Sequence, residues 1–488
     1  MPQIQPFRAV LFDSEKVGDL GGALCPPYDV ISQQEQYRLY LRNPHNIVRL
    51  ELGQDQPEDT KESNRYTRAA TELVHWLAEG VLREDEKPAL YVYQQHWEGG
   101  WRMSFFCAVQ LAEWDKREVI PHEQTLSGPK ADRLLLMRHT AANMSPVYSL
   151  YEDPDGAIAT VLKEATAREP DVEADQGGGE RHRLWRITEW DAIATVQEAL
   201  SARPIYIADG HHRYETALTY RDERREAQGA FTGEEPWNYV MMCLSDMADP
   251  GLVVLPTHRL IKAEGLDAGA FVAKLGEVFE VEEFQAANDA EKLVVTERVL
   301  QGMGDADADA DADTDADADA DSETVADTDT DTDTDTDTVT GRGGHQFGLV
   351  LAGQDKVLKL SLKGDPVGLL AGCGRSPAWG RLDVAILHYL VIERLLGIPE
   401  AEWKGGRKIV YTRDFKEVLL GIESGEFQVG AFLNGTPVAQ IRDVAEAGDV
   451  MPQKSTFFYP KLPTGLVIHR LGEVPRPTQA VASAVADA

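Results

Sequence analysis

The stretch Ile205-Tyr-Ile-Ala-Asp-Gly-His-His-Arg-Tyr-Glu-Thr-Ala-Leu218 constrains this chain more than any other. Ile205, Tyr206 and Ile207 are β-branched or aromatic and read as the end of a buried strand. Asp209-Gly210 predicts a sharp turn. His211 to Leu218 then opens a helix that continues through Tyr220 and Arg221. A strand running directly into a helix belongs to an α/β layer, so the expected fold class is α/β, of mixed α+β type. The glycine admits main-chain conformations closed to other residues and lets a ligand approach the backbone. The N–H groups of a first helical turn carry partial positive charge and attract anions. His211, His212 and Arg213 add donors of the kind phosphate uses. The competing reading makes Asp209 a helix N-cap and the basic residues solvated; the stretch alone leaves both open.

At 488 residues the chain exceeds what one core serves, so two or three domains are expected. The expected division is an N-terminal α/β region over 1–160, the Asp-Gly-His-His-Arg region over 161–300, a disordered acidic insertion over 301–344, and a C-terminal α/β region over 345–488. The insertion carries Asp-Ala and Asp-Thr repeats from 305 to 338. Self-repulsion and lack of apolar bulk leave nothing to offset chain entropy there. Between Gln301 and Thr340 stand fifteen Asp and one Glu with no Lys or Arg, so −16 of the net −34 sits in this tract. Its flanks, Glu291–Leu300 and His345–Leu351 with Lys356–Leu362, read as parts of one folded unit that the tract interrupts. The acidic balance argues against nucleic-acid partners, which need basic surface. The N-terminus lacks the regions of a signal peptide, and no apolar window is long enough to span a membrane. Cys25, Cys107, Cys243 and Cys373 are too dispersed for a zinc or redox motif. A cytoplasmic protein is expected, with no membrane partner; oligomeric state is left open.

Elsewhere the pattern predicts a strand at Phe7–Phe12, an N-cap at Ser32 with Glu35 completing a capping box, a strand at Asn46–Leu50 and an amphipathic helix over Thr60–Leu82. Leu90–His96 and Trp101–Val109 flank Gly99-Gly100 as a hairpin. Two polar constellations accompany them. Tyr28 and Asp29 follow paired prolines. His122, Glu123 and Thr125 precede Lys130, Asp132 and Arg133, with Asn143 and Ser145 shortly after. A loop offering acids, an imidazole, hydroxyls and cations has the groups a polar-substrate site requires, though a surface loop can share that composition. Leu252–Arg259 reads as a strand whose polar tip, Thr257, His258 and Arg259, is a further candidate. Gly448 to Thr456 has Lys454-Ser455 in the manner of a Walker loop. Gln453 replaces its glycine, however, and no strand-to-helix context surrounds it. Lys454 and Lys461, with the hydroxyls of Ser455 and Thr456 between them, read either as an anion clamp or as a structural loop among aromatics.

Six motifs together resemble one bacterial and archaeal family: Cys25-Pro-Pro-Tyr-Asp-Val-Ile31, Pro121-His-Glu-Gln-Thr125 with Lys130-Ala-Asp-Arg133, Asn143-Met-Ser-Pro146, Ala208–Ala217, Leu255-Pro-Thr-His-Arg259 and Met451–Lys461. The chain is identified on them as a member of domain-of-unknown-function family one thousand and fifteen. The acidic tract is not part of that pattern. Gly210-His-His-Arg-Tyr214 is also similar to the glycine–arginine segment of sulfiredoxin and of ParB-type nucleotide-binding domains, a group that includes free-serine kinases. That resemblance implies a ParB/sulfiredoxin-like nucleotide-binding core with an additional α/β C-terminal portion. His211 stands where sulfiredoxin has its reactive cysteine, which excludes sulfinic-acid reduction in that form. The basic recognition helices of DNA partitioning are missing.

The resemblance implies a kinase-type phosphotransferase acting on a small hydroxyl metabolite such as free serine, with ATP or ADP and Mg²⁺. Asp209, Gly210, His211, His212 and Arg213 would take the nucleotide, with Asp209 fixing the turn or holding Mg²⁺. Asp29 or Glu123, with His122, would supply the catalytic acid–base groups. Tyr28, Thr125, Lys130, Asp132, Arg133, Asn143, Ser145, His258, Arg259, Lys454, Ser455 and Thr456 would face the substrate. The alternatives are a metal-dependent phosphatase or hydrolase built from His122, Glu123, Asp209, His211 and His212, and a non-catalytic nucleotide-responsive binding protein. The metal itself stays unassigned.

Overall fold

A computed structural model describes residues 1–311 apart from Gln124 and Leu126, and residues 344–474 apart from Gly405 and Arg407. It is a mixed α/β protein of two compact units, Met1–Val253 with Phe458–Ala488, and Val254–Phe457. In the first unit one nine-stranded sheet takes strands from both sides of residue 160, including Leu90–Trp97, Gly100–Gln110, Val172–Gly177, Glu180–Ile187, Ile205–Asp209 and Tyr239–Asp246. The boundary expected at residue 160 therefore falls inside this unit. Alternate strand residues (Leu90, Val92, Phe105, Cys107, Val240, Met242) form one apolar face. Helices Ala157–Ala165, Trp190–Leu200 and His211–Gln228 bury Ile158, Leu162, Ile193, Val196, Tyr214 and Ala217 against it. The interleaved residues Tyr93, Gln95, Arg102 and Ser104 are fully buried on the opposite side, a polar layer on a face that also carries Tyr91, Phe106 and Cys243.

The second unit is built on a six-stranded antiparallel sheet, including His258–Ile261, Gln346–Leu351, Lys356–Leu362 and Val429–Phe432. Helices Asp289–Asp311 and Phe415–Glu423 supply Val299, Met303, Val418 and Ile422 to its core, beside Val350 and Val357. The segments on either side of the acidic tract thus share one core. The helix before the tract runs on to Asp311, and residues 312–343, expected to be disordered, lie outside the described residues.

Several local expectations meet physical competition. The strand expected at Asn46–Leu50 is a helical turn, Val48–Glu51, because the Asn46 side chain accepts the Val48 N–H and so starts a turn. The helix expected over Thr60–Leu82 is confined to Arg65–Glu79 by a capping box of Asn64 with Thr67 and a left-handed Gly80 (φ 73°). At Ser32 the hydroxyl does accept the Glu35 N–H. The strand expected over Leu252–Arg259 is split around Pro256 into Val253–Val254 and His258–Ile261. Among the described residues, no helix is long and apolar enough to cross a membrane.

Candidate functional site

The strand Ile205–Asp209 ends at Gly210, whose φ of 95° is a left-handed value that glycine adopts at low cost. The helix His211–Gln228 begins at once, and no side chain caps it. Asp209 therefore is not the helix cap. Its carboxylate instead lies between two cations: Oδ2 accepts from Arg213 Nη2 at 2.7 Å and Oδ1 from Lys461 Nζ at 3.0 Å. Burial works to raise the Asp209 pKa, but Lys461 and Arg213 prevail and hold it well below the usual carboxylate range. Arg213 also donates through Nη1 to the Pro146 carbonyl. A side chain at Gly210 would collide with Arg213, since a Cβ there would sit 2.8 Å from Nε. The open glycine and the placement of Arg213 are one feature.

His211 turns inward rather than toward the helix opening. It is buried, and its Nε2 accepts the His122 main-chain N–H at 3.3 Å. Its Nδ1 lies 3.9 Å from Glu123 Oε2. His122 packs edge-on against it, with ring centroids 4.7 Å apart, and its Nδ1 bonds the Ile207 carbonyl at 2.7 Å. Burial, above all, pushes His122 down to about 4 and His211 well below the ordinary imidazole value. Both rings are neutral near pH 7. Of the residues expected at phosphate, this leaves His212, Arg213 and the glycine turn at the helix opening.

The second constellation assembles around the same helix and its neighbour, Ser127–Thr140. Glu215, one turn beyond His211, accepts from Thr125 Oγ1 at 2.6 Å and Lys130 Nζ at 2.7 Å. Arg133, 6% exposed, lies over the Tyr28 ring at 4.0 Å and pairs with Asp132 (2.6 Å) and the buried Glu51 (3.0 Å). Asp132 is held in turn by Arg65 and Tyr66. Ser145 donates to Glu51 at 3.1 Å, whereas Asn143 accepts the Met241 N–H and ties two strands together. Burial raises Tyr28 to about 12, so it stays a neutral phenol. Asp29 stands exposed in the short turn Tyr28–Val30. Glu51, Arg133, Asn143, Ser145, Arg213 and Thr216 line a small cavity of about 30 Å³, room for one or two waters.

His258, Arg259, Lys454, Ser455 and Thr456 belong to the second unit. There Arg259 is buried. It donates to the carbonyls of Thr257 and Lys454 and, at 3.2 Å, to His388 Nε2. Burial lowers its pKa to about 10. Its partners are main chain and imidazole, and it pins the loop at Lys454 to the strand His258–Ile261. Ser455 is likewise turned inward, onto the Pro452 carbonyl.

Two contributors escaped the sequence reading, Glu215 and Glu51, and Lys461, read there as part of an anion clamp, had no partner assigned to it. Lys461 ends the very motif in which Lys454 was singled out, and its Asp209 contact needs a chain reversal of 252 residues. Glu215 lay inside the opening helix at i+4 from His211. Glu51 carries no local signal.

Together these observations define a mixed α/β protein with an uncapped helix opening flanked by a carboxylate–cation network. The chain belongs to the family described as a protein of unknown function, DUF1015, whose model matches residues 4–385. No curated protein matches it. Among solved structures it is similar to a conserved hypothetical protein from Pyrococcus furiosus, at 12% identity and TM-score 0.29, over 74% of this chain and 92% of that one. It is also similar to a mutant free serine kinase in complex with ADP, at 11% identity and TM-score 0.30, over 74% of this chain and 91% of that one. At such values neither likeness bears on what this chain does.

Proposed function

We propose that this protein is a phosphotransferase that uses ATP or ADP to phosphorylate a small hydroxyl metabolite, with free serine the first acceptor to test. The observation that carries the reading is the uncapped helix opening at Gly210, where Arg213 and Lys461 converge on Asp209. Phosphoryl transfer asks mainly for positioning and for neutralisation of charge, and this opening offers main-chain dipole, guanidinium and ammonium in one place. In this reading His212, Arg213 and Lys461 take the nucleotide phosphates, and Asp209 keeps the two cations apart until phosphate arrives. His211 and His122, neutral and buried, support Glu123 from behind. Glu123 or Asp29 accepts the hydroxyl proton. Lys130 and Arg133 hold the acceptor's anionic group.

Asp209 is engaged by two cations, which does not fit a Mg²⁺ ligand. Mg²⁺ would enter on the nucleotide phosphates, where it offsets their charge. Among the described residues, no group of three or more His, Cys, Asp or Glu is placed to hold a metal, so the hydrolase reading gains no support from geometry. Incubation of purified protein with ATP or ADP, Mg²⁺ and serine should yield phosphoserine, with Glu123→Gln and Asp29→Asn identifying the base. Nucleotide binding without transfer to any hydroxyl acceptor would favour the binding-protein reading. No nucleotide binding at all would overturn both.

A further inference from the structure

Arg102 is fully buried in the polar layer of the first unit, on the strand Gly100–Gln110. Among the described residues, no carboxylate bonds it. Its Nη2 donates to the Pro460 carbonyl at 2.7 Å and to Gln95 Oε1 at 2.6 Å, and its Nη1 donates to the Tyr459 carbonyl at 3.2 Å. The guanidinium lies over the Tyr148 ring at 4.7 Å. Gln95, fully buried and directly opposite Arg102 in the hairpin register, donates to the Lys461 carbonyl at 3.2 Å and to Glu180 Oε1 at 3.0 Å. One cross-strand pair thus holds three successive carbonyls, those of residues 459, 460 and 461.

Enclosing a guanidinium without a counter-charge is costly; here Nη1 and Nη2 are filled while Nε, among the described residues, has no hydrogen-bond partner, and the planar fork suits adjacent carbonyl oxygens. Lysine is different. Its ammonium rides on a flexible stem, so where it dwells depends on how firmly its backbone is held. The residue that follows the two carbonyls held by Arg102 is Lys461, whose Nζ reaches Asp209.

We propose that Arg102, together with Gln95, is a positioning residue for the anion site. It fixes the Tyr459–Lys461 backbone so that the Lys461 ammonium is set on Asp209 beside the helix start, ready for an incoming phosphate. The phosphate part rests on the function proposed above; the positioning part does not.

The test uses the full-length protein and the variants Arg102→Met, Gln95→Leu, Lys461→Met and the Arg102→Met/Lys461→Met pair. Brief acetylation followed by mass spectrometry reads the reactivity of the Lys461 amine, and calorimetric titration with ADP reads affinity. In Arg102→Met, Lys461 labelling should rise about fivefold while Lys130 labelling stays constant, and ADP affinity should fall about tenfold. The double variant should bind ADP no worse than Lys461→Met alone, the signature of two residues acting through one contact. Unchanged Lys461 labelling in folded Arg102→Met, or a double-variant loss equal to the product of the single losses, would overturn the proposal. Should Arg102→Met fail to fold, Gln95→Leu decides: it must also raise Lys461 labelling, and unchanged labelling sinks the idea. If wild-type protein binds no ADP, the nucleotide reading falls and labelling still judges the positioning.

Discussion

Replacing Asp209 by asparagine keeps its shape and removes its charge, leaving Arg213 and Lys461 to face each other. The three side chains are 22%, 11% and 17% exposed, and the two bonds measure 2.7 and 3.0 Å. Stripping one partner from a fully buried ion pair costs about 3–5 kcal/mol. Partial exposure here, and the hydrogen bond asparagine can still accept, reduce that to about 2–3 kcal/mol. For a unit of this size the melting point should drop by about 3–5 °C. The sign with pH follows from the depressed Asp209 pKa, set by Lys461 and Arg213 against the opposing pull of burial. Because the folded value lies below the unfolded one of about 3.9, the stabilisation is complete above about pH 5 and is lost as pH falls through the acid range. Scanning calorimetry should therefore show a wide gap between wild type and Asp209→Asn at pH 7 that narrows below about pH 4. Inorganic phosphate should raise the melting point of the variant more than that of wild type, since it replaces the missing negative charge. A gap under about 2 °C at pH 7, or one that stays constant into acid, would refute the reasoning.

Three further outcomes follow from the same geometry. Gly210→Ala strains a left-handed position at a cost of about 1–2 kcal/mol and displaces Arg213, so thermal stability and ADP affinity should fall together; a variant with wild-type affinity contradicts the assigned role of Arg213. Glu51→Gln removes one of the two carboxylates paired with the buried Arg133; Asp132 stays on the guanidinium and glutamine can still accept a hydrogen bond, so urea unfolding should register a loss of about 1–3 kcal/mol. His122, His182 and His469 are held down to about 4, chiefly by burial, against about 6.5 unfolded. Their contribution is present above pH 6.5 and is lost as pH falls toward 4, so the melting point should decline steeply across that window; a flat profile between pH 7 and 4.5 would count against the buried, neutral histidines.

How much of this was legible depends on range. The hairpin around Gly99-Gly100 and the strand–glycine–helix at 205–228 are written in alternation, turn chemistry and helical spacing, all local properties. Asn46–Leu50 shows the limit: its apolar run suits a strand, yet the Asn46 side chain supplies an alternative partner for the backbone and a helical turn results. Asp209 shows another. A carboxylate before a helix has the composition of a cap, but only the folded chain puts Lys461 and Arg213 close enough to claim it.

The sequence by itself determined the mixed α/β class, the glycine at the helix opening and membership of a motif-defined family, because each depends on residues close together in the chain. Tertiary structure alone decided which of those residues share an environment. Burial made His211 a neutral interior group, a buried arginine–glutamine pair holds the carbonyls of Tyr459, Pro460 and Lys461, and Lys461 rather than Lys454 arrived at Asp209. Electrostatics acts through space, and the distances that set it exist only once the chain has closed.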